Sequence, residues 1–530
     1  MCQKRLPSVF FAGMLLPFYH RRISGEAIRV AVPLLLLAVV IACRSTHPLP
    51  VSRDTIIVAT STSPTNLDPR IGIDKASENF HHLLFNGLLR KDDDGRMVPD
   101  LASSYEKINP LLYRFYLRKE VRFHHGKLLE AGDILFTYNS ILNGEVSTTK
   151  KAVLESIAEV KAVSPSAVDF VLKEPFSGLL VNLNIGIVPA DSPADFARRP
   201  IGTGPYRLIS YHHDTEARLE AFSQYFEGTP RTRVLVLRVI PDATTRALEL
   251  KRRTVDIALG AGIVPPHYLK VLKNDSALKT LIARGNNYAY IGFNMRDPLL
   301  KDKRVRQAIA YAINRDEVVS DMFYGAATPA TGLLVPQNWA YEGAVRRFAY
   351  HPSLAKQMLD EAGYPDPDGD GPEKRFWITY KISTDEFRRS VATIFQRHLD
   401  RVGIGLQIRS YEWGTFFSDI NHGNFQMCML MWVGESDPDI YRSVFATKGT
   451  RNRGKYSDPQ VDEWIINARE ADSEDQQKHY YSLVQKRVAE DCPYVSLWYE
   501  NNIAIFRPQI KGAHLNPDAD FRMLKDLRYD

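Results

Sequence analysis

The segment from Gly87 to Tyr138 constrains the fold of this chain more than any other. Apolar and charged residues alternate around Tyr113 to Val121, which is typical of a strand with one buried face. Residues 124–127 read HHGK and indicate a turn, and the apolar run after Ala131 is compatible with a helix. No side chain in this segment forms a known catalytic pattern. The segment therefore predicts scaffold, built as strand, turn and helix.

Further strands and helices alternate along the chain. Asp54 to Thr60 is an apolar run typical of a buried strand, and Asn286 to Asn294 alternates aromatic with small residues. Apolar residues recur at helical spacing after Asp302, which is placed to cap a helix, and after His351 and Asp458, where two further helices are expected to start. Because 530 residues exceed one ordinary domain, the pattern predicts an α/β protein of two or more lobes.

Short motifs around these elements are similar to those of one known family. Residues 85–108 read FNGLLRKDDDGRMVPDLASSYEKI, and residues 113–138 read YRFYLRKEVRFHHGKLLEAGDILFTY. Residues 64–69 (PTNLDP) and 201–206 (IGTGPY) add two loop motifs. Together they resemble the family 5 extracellular solute-binding proteins, the peptide- and nickel-binding receptors of ABC importers. The chain departs from the pattern at Tyr105, where the family has Trp, and at His125, where it has Asp.

The resemblance implies a specific architecture. It is that of a two-lobed periplasmic binding protein of type II, cluster C-like, with an extra inserted subdomain. Lobe I is then discontinuous and comprises residues 52–86, 201–285 and 490–530. The inserted subdomain spans residues 87–200, and lobe II spans residues 286–489.

The amino terminus predicts export and a lipid anchor. Val30 to Ala42 is an uncharged apolar run of 13 residues preceded by basic residues. It is shorter than the about 20 residues of a membrane-spanning helix and fits a signal peptide over residues 1–42. The run ends in Val-Ile-Ala-Cys, which resembles a lipobox, so we expect Cys43 to carry a lipid and residues 43–51 to form a tether. The predicted location is periplasmic or extracytoplasmic; an uncleaved signal anchor is the alternative.

Charge argues against nucleic acid as a partner. The formal net charge is +6, from 68 basic and 62 acidic residues. Five of the basic residues and one acidic residue fall within the first 42 positions, so the remainder of the chain is close to neutral. A nucleic-acid-binding protein usually carries a basic surface instead.

Motifs of known enzymes and metal sites are missing from the sequence. It has no GxSxG, HExxH, P-loop or CxxC pattern. Adjacent histidines occur at 81–82, 124–125 and 212–213, but neighbouring side chains diverge, so we expect surface or turn histidines. Residues 366–371 (DPDGDG) imitate the start of a calcium loop, yet Trp377 stands where a bidentate Glu is required. The sequence thus predicts no catalytic residue, no cofactor and no bound metal.

Aromatic residues mark the predicted ligand site, between residues 410 and 442. Tyr411, Trp413 and Trp432 lie in this stretch. Flat aromatic rings cover apolar ligand groups without selecting among them. The alternative for both tryptophans is packing in the core.

Two acidic residues follow the second tryptophan and complete the predicted site. A buried carboxylate holds a ligand ammonium through charge-assisted hydrogen bonds. In peptide-binding members of the resembled family an acid at this place holds the α-amine of the peptide. The resemblance gives this role to Glu435, with Asp437 as the alternative. Several oligopeptide receptors also have basic residues between the two Trp positions; this chain has no Lys or Arg there, which leaves Arg409 or Arg442 to meet a ligand carboxylate.

The resemblance implies a function as well as a fold. It predicts a lipid-anchored, monomeric substrate-binding protein of an ABC importer, which captures short peptides by hinge closure between two lobes and delivers them to a permease in the inner membrane. It predicts no enzymatic activity. The same fold also serves other ligands, so a nickel complex, an opine or an oligosaccharide is an alternative, as is a role in sensing. A lipoprotein hydrolase is a further alternative, without a supporting motif.

Overall fold

The computed structural model describes residues 54–92, 95–193, 195–369, 371–434 and 437–530. The predicted signal peptide, the predicted lipidation site at Cys43 and the predicted tether lie outside the described residues, and so does Glu435. Within the described ranges, no helix combines the length and the apolar character that crossing a membrane requires.

Strands occur throughout the described residues. In chain order they are β1 Thr55–Thr60, β2 Leu89–Lys91, β3 Met97–Pro99, β4 Ala102–Asn109, β5 Leu112–Leu117, β6 Ile157–Ser164, β7 Ala167–Leu172, β8 Tyr206–His212, β9 Glu216–Ala221, β10 Val234–Val239, β11 Ile257–Gly260, β12 Lys279–Phe293, β13 Ala327–Pro329, β14 Phe376–Ser383, β15 Ile404–Tyr411, β16 Met427–Trp432, β17 Tyr494–Phe506, β18 Ile510–Lys511 and β19 Arg528–Tyr529.

Helices alternate with these strands. The α-helices are α1 Lys75–Leu84, α2 Ala131–Leu142, α3 Lys150–Val153, α4 Ala243–Arg252, α5 Pro266–Lys273, α6 Lys303–Ala312, α7 Arg315–Phe323, α8 Pro352–Glu361, α9 Glu386–Asp400, α10 Trp413–His422, α11 Ile440–Phe445, α12 Pro459–Glu470 and α13 Glu474–Asp491. Two 3-10 helices span Ser177–Asn184 and Phe521–Asp526.

Three helices begin where the sequence predicts them, and a side chain caps each one. Asp302 Oδ1 accepts a hydrogen bond from the amide of Arg304, at 2.8 Å, ahead of α6. His351 and Asp458 cap α8 and α12 in the same way. A side-chain acceptor at this position satisfies amides that have no partner within the helix, which is why such residues mark helix starts. These predictions are confirmed.

One sheet runs through both lobes of the mixed α/β fold. Its strand order is β15-β14-β16-β12-β17-β11-β1-β10-β9-β8, and β13 pairs with β17. At one end, β1 pairs in parallel with both β10 and β11; we call these three strands the first parallel group. At the other end, β14 pairs in parallel with β15 and β16, which together form the second parallel group. The long strands β12 and β17 lie between the two groups.

The pairing pattern fixes the direction of each group. Strand β17 is antiparallel to β11, and β12 is antiparallel to β17, so β12 runs in the same direction as β11. Strand β16 is antiparallel to β12 and therefore runs the opposite way. Because β12 leads from the first group to the second, the carboxyl ends of the two groups point toward each other.

The two connecting strands are irregular where the groups meet. The pairing of β12 with β17 shifts between Arg284, which lies opposite Asn501, and Asn287, which lies opposite Glu500. Two residues of β12 therefore have no opposite residue on β17 and form a bulge. A bulge bends a strand and redirects its side chains. The bulge brings Asn286 and Asn287 to the junction between the two parallel groups.

A separate antiparallel sheet, with the order β4-β5-β7-β6, has its own core. Phe170 contacts Phe115 of the same sheet and Tyr138 of α2, with ring centroids 5.4 and 5.0 Å apart. The predicted strand from Tyr113 to Val121 is correct in its alternation, but β5 already ends at Leu117. The backbone leaves the sheet in a turn in which Glu120 has a φ of 62°. This conformation is incompatible with a continuing strand.

The predicted turn at residues 201–206 packs against the end of α1. The amide of Gly204 donates to the carbonyl oxygen of Leu84, at 2.9 Å. A Cβ atom added to Gly202 would collide with that same carbonyl oxygen. Only glycine therefore allows the turn to approach the helix this closely, and β8 starts at Tyr206 directly after it.

Candidate functional site

A cavity of about 250 Å³ lies where the carboxyl ends of the two parallel groups face each other. Thr60, Val239 and Gly260 line it, and they are the last residues of β1, β10 and β11. In α/β proteins, ligands bind in the crevice beyond the carboxyl ends of parallel strands. We take this cavity, called the cleft below, as the candidate site.

The first wall of the cleft is formed by the loop after β1 and by helix α1. Residues 61–64 follow β1 directly, and Asn79 lies on the helix face that borders the cleft. The side-chain oxygen Oδ1 of Asn79 is buried, and it has no hydrogen-bond partner among the described residues. A buried polar atom without a partner costs about 1–3 kcal/mol. This wall therefore offers an acceptor to a ligand group that donates a hydrogen bond.

The opposite wall is the loop after β16. Val433 and Gly434 line the cleft, and the Val433 side chain is 57% exposed. The amide of Gly434 donates to Oδ1 of Asn287, at 3.1 Å. Nδ2 of Asn287 donates in turn to Oε2 of Glu500, at 3.3 Å. One amide side chain on the connecting strand thus fastens the loop that leads to Glu435.

The neighbouring residue of the bulge binds the first wall. Nδ2 of Asn286 donates to Oδ1 of Asp518, at 2.5 Å. Burial alone would raise the pKa of the Asp518 carboxyl, but Lys91, Lys75 and the hydrogen bond from Asn286 outweigh it and lower the pKa. Asp518 is therefore a charged carboxylate at the edge of the cleft, held by the bulge.

A second cavity, of about 160 Å³, opens beside the cleft. The two share Lys75, Gly434 and Asp518 in their linings. Basic side chains are prominent around the second cavity, which we call the basic pocket. Its basic residues are Lys75, Arg90, Lys91, Lys150 and Arg522.

The predicted aromatic residues lie at the carboxyl ends of the second parallel group. Tyr411 is the last residue of β15, Trp432 is the last residue of β16, and Trp413 is the first residue of α10. Trp432 is 7% exposed and stacks on Tyr290, with centroids 6.2 Å apart, whereas Trp413 is 49% exposed and stacks on Phe417. The described residues that line the cleft do not include any of these three rings. Their contribution to ligand binding stays a prediction.

The structure describes only one of the two predicted acids, Asp437. Asp437 begins the turn before α11, and its Oδ1 accepts the amide of Asp439, at 2.9 Å. Glu435 lies outside the described residues, and it follows the cleft residue Gly434 directly in the sequence. The assignment of either acid to a ligand amine stays a prediction.

Neither predicted partner for a ligand carboxylate lines the described walls of the two cavities. Arg409 is exposed near the end of β15. Arg442 pairs with Asp439 through Nε and Oδ2, at 3.2 Å. The structure instead gathers the cations of the basic pocket, which the sequence analysis missed. They come from α1, β2, α3 and the 3-10 helix near the carboxyl terminus, so no local sequence pattern marks them as a group.

The histidine prediction is wrong for one pair. His81 is buried, and its Nε2 lies 3.0 Å from the carbonyl oxygen of Asn66. Burial, with a further contribution from Lys150, lowers the pKa of His81 to about 3. The pair sits on α1, whose amphipathic face is packed against the core, so burial overrides the polar character of the ring. Within the described residues, no three side chains of His, Cys, Asp or Glu are clustered as metal ligands.

Comparison with known proteins places the chain in a family. Residues 96–453 match the model of the bacterial extracellular solute-binding proteins, family 5 Middle. The oligopeptide-binding protein AppA of Bacillus subtilis is 28% identical over 491 residues, which cover 88% of this chain and 90% of AppA. The dipeptide-binding protein of Escherichia coli is 26% identical, covering 88% and 93% of the two chains.

Solved structures agree with the sequence relatives. The structure of AppA from Bacillus subtilis in complex with a nonapeptide superposes with a TM-score of 0.72 and covers 90% of this chain and 99% of AppA, at 28% identity. NikZ from Campylobacter jejuni in complex with Ni(L-His) superposes with a TM-score of 0.74, at 25% identity, and covers 90% and 100% of the two chains. Both comparisons extend over nearly all of the described residues.

Proposed function

The chain belongs to the family 5 bacterial extracellular solute-binding proteins, and from this premise we propose that it captures short peptides in the cleft and delivers them to an ABC permease. Peptide binding is proposed because relatives across 88% of the chain are named as oligopeptide- and dipeptide-binding proteins. The protein acts by binding and release and catalyses no reaction. Its predicted lipid anchor at Cys43 holds it to a membrane on the periplasmic or extracytoplasmic side, where it works as a monomer.

The observation that carries this proposal is the set of polar groups on the two walls of the cleft. One wall presents the buried oxygen of Asn79, which lacks a protein donor among the described residues. The other ends at Gly434, immediately before Glu435. A peptide supplies what both walls need, since its amide groups donate hydrogen bonds and its α-amine carries a positive charge. We assign the α-amine to Glu435 and keep Asp437 as the alternative.

The connecting strands provide the hinge. Ligand capture by two lobes requires a few residues that absorb the change in backbone angles. We place them at the bulge of β12, where Asn286 binds the wall of lobe I through Asp518 and Asn287 binds the wall of lobe II through Gly434. The ligand stabilises the closed form only if it binds that form more tightly than the open one. A ligand that contacts both walls of the closed cleft meets this condition.

The proposed lobe boundaries follow the same junction. Lobe I comprises residues 52–86, 201–285 and 490–530, and lobe II comprises residues 286–489, with residues 87–200 inserted as a subdomain. Strand β17 spans the junction, because its first half pairs with the later part of β12 and its second half pairs with β11. The boundary at residue 490 was proposed from the sequence and places residues 494–500 in lobe I. By their pairing with β12 we assign these residues to the lobe II side of the sheet instead.

A nickel complex is the second candidate ligand. NikZ, whose whole length superposes on 90% of this chain, was solved in complex with Ni(L-His). Such a ligand brings its own chelating groups and so requires few ligands from the protein. It would use the same cleft, and the same experiment separates the two candidates.

Intact mass spectrometry of the protein, extracted in mild detergent from its host membranes, tests the proposal. A series of co-purified short peptides, each released on unfolding, is the expected result. A single non-peptide mass, or nickel in its place, would overturn the peptide assignment and leave the family intact. The mass of the polypeptide itself checks the anchor, because lipidation and cleavage before Cys43 each change it by a defined amount.

A further inference from the structure

The inserted subdomain, residues 87–200, is bound to lobe I through buried contacts. Nδ2 of Asn86 donates to both carboxyl oxygens of Asp100, at 3.2 and 3.1 Å, and the amide of Ile187 donates to the carbonyl oxygen of Asn86, at 2.9 Å. Nη1 of Arg70 donates to Oγ of Ser140, at 3.2 Å. All five residues are buried. Because both ends of the subdomain also continue into lobe I, we expect the two to move together.

The contacts between the inserted subdomain and lobe II are of another kind. They involve the end of α12 and the start of α13, residues 469–474, which we call the 469–474 segment. Nζ of Lys107 on β4 lies 3.9 Å from Oδ1 of Asp472, and Nη2 of Arg96 lies 3.6 Å from Oε1 of Glu474. Both acidic side chains are more than half exposed. Cations of the subdomain thus meet anions of lobe II at the surface of the protein.

A third contact places an arginine of lobe II on an aromatic ring of the subdomain. The guanidinium of Arg469 lies 4.9 Å from the ring centroid of Phe176, within the range of a cation–π interaction. Nε of Arg469 also lies 3.4 Å from Oδ1 of Asp439, the residue before α11. The connection from β16 to α11 starts with the cleft residues Val433 and Gly434 and ends at Asp439. Arg469 therefore links the subdomain to the connection that forms the lobe II wall of the cleft.

The two interfaces of the subdomain differ in how easily they separate. Among the described residues, no backbone hydrogen bond joins the subdomain to lobe II. An exposed ion pair changes an equilibrium by no more than about fivefold, and small polar interfaces let domains move relative to each other. Burial and the charge of Glu474 raise the pKa of Tyr105 on β4, so the electric field of lobe II reaches the subdomain. The contact with lobe I is therefore permanent, and the contact with lobe II is reversible.

We propose that the inserted subdomain is an electrostatic latch, which moves with lobe I and engages the 469–474 segment through Arg96, Lys107 and Phe176 when the cleft closes. This inference rests on the hinge closure of the proposed function, and it does not depend on which ligand is bound. Attraction between opposite charges reaches farther than apolar contact, so the latch favours the closed form before the walls of the cleft meet. Its strength falls with added salt because the charges are exposed.

Pulsed electron paramagnetic resonance on the full-length, ligand-free protein measures the state of the latch. Spin labels attached at Lys161→Cys, on β6 of the subdomain, and at Thr393→Cys, on α9 of lobe II, report the distance between the two bodies. Both positions are exposed, so the labels do not disturb the core. Cys428 and Cys492 are buried and stay unlabelled.

Salt is the first perturbation. Raising its concentration from about 0.1 M to about 1 M shortens the Debye length from about 10 Å to about 3 Å, which screens exposed ion pairs. We expect the ratio of the closed to the open population to fall about three- to tenfold. A ratio that does not respond to salt would overturn the latch.

Asp472→Asn/Glu474→Gln and Glu463→Gln/Asp475→Asn form the matched pair of double variants. Each removes two exposed charges from the region of α12 and α13, and the first pair contacts the cations of the subdomain. Asp472→Asn/Glu474→Gln should lower the closed ratio at about 0.1 M salt and remove most of the salt response. Glu463→Gln/Asp475→Asn should behave as the wild type. Equal behaviour of the two double variants would overturn the proposal.

Phe176→Leu tests the aromatic contact separately. It keeps an apolar side chain and removes the ring face beneath the guanidinium of Arg469. We expect the closed ratio to fall about two- to fivefold, with the salt response of the ion pairs retained. An unchanged ratio would contradict the role of Phe176 in the latch.

A failure of the proposed function has its own signature. A single distance under every condition and in every variant would show that the lobes do not move, so hinge closure and the latch would both fall. Two populations whose ratio ignores salt and Asp472→Asn/Glu474→Gln would leave the hinge in place and overturn the latch alone. Because the measurement uses no ligand, a receptor for a nickel complex instead of peptides would give the same results.

Discussion

Asn287→Asp tests the junction at which the two connecting strands meet the cleft. The side chain of Asn287 accepts from Gly434 through Oδ1 and donates to Glu500 through Nδ2, at 3.1 and 3.3 Å. An Asp can still accept from Gly434, but it replaces the donor with a second carboxylate oxygen opposite Glu500. Burial already raises the pKa of Glu500. The substitution therefore places two carboxylates in contact in a poorly hydrated place.

The magnitude follows from the distance. Two unit charges 3.3 Å apart repel by about 5 kcal/mol at an effective dielectric constant of 20. Keeping one of the two carboxyls protonated is less costly. Protonating a carboxyl with an ordinary Glu pKa requires a free energy of about 3.5 kcal/mol at pH 7 and about 1 kcal/mol at pH 5. The pair will therefore share a proton, and the loss of stability will be no more than about 3.5 kcal/mol at pH 7.

The sign of the pH dependence is determined by the raised pKa. A carboxyl whose pKa is higher in the folded than in the unfolded protein binds its proton more tightly when folded, so stability falls as the pH rises above the unfolded pKa. Asn287→Asp should thus be destabilised at pH 7 and recover as the pH falls toward 5. A protonated Asp also restores the donor to Glu500.

Thermal unfolding followed by circular dichroism between pH 5 and 8 measures this effect. Asn287→Ala is the matched control: it loses both hydrogen bonds and adds no charge, so its deficit relative to the wild type should change with pH much less than that of Asn287→Asp, and only through the lost hydrogen bond to Glu500. Parallel pH profiles for the two variants would refute the reasoning, because they would show that no carboxylate lies close to position 287. Only Asn287→Ala releases the loop at Gly434, so it alone should weaken peptide binding at pH 5, by about two- to tenfold.

Three further predictions concern the walls of the cleft and the turn behind it. Glu435→Gln should weaken peptide binding at least about tenfold in calorimetry by removing the charge that pairs with the α-amine, whereas Asp437→Asn should have a smaller effect; the reverse order would transfer the role to Asp437. Asn79→Leu should raise the unfolding midpoint of the ligand-free protein, since it removes a buried oxygen without a described partner, and lower peptide affinity; a loss of both would mean that the amide is structural. Gly202→Ala should destabilise the fold by about 1–3 kcal/mol because its Cβ would meet a carbonyl of α1, while Gly132→Ala, with open space around its added methyl group, should be neutral in the same melting assay.

Local patterns in the sequence determined much of the fold. Helix starts at Asp302, His351 and Asp458 were predictable because a capping side chain and the amides that it binds are only two or three residues apart. The glycines of the 201–206 turn were predictable as a turn for a similar reason. The family motifs then linked these local signals to one architecture, which the comparisons confirm. Interactions between residues only a few positions apart can be predicted from the sequence, because the interacting groups are neighbours in it.

The end of β5 shows the limit of such patterns. Alternation of apolar and charged residues continues to Val121, but the strand ends at Leu117 because Glu120 takes a left-handed conformation. Periodicity reports which face of a segment is buried; it does not report whether a partner strand is still alongside. The same limit applies to Trp432, whose position after a strand was predictable and whose burial against Tyr290 was not.

The candidate site was decided by tertiary structure. Asn287 and Glu500 are separated by 213 residues, and they meet because β12 pairs with β17. The cations of the basic pocket come from segments near residues 75, 90, 150 and 522, each unremarkable where it stands in the sequence. The sequence alone determined that strands would end in polar loops near tryptophans and acids. Which of those ends face each other, and which charges gather between them, depends on strand pairing across hundreds of residues, and no local pattern encodes that pairing.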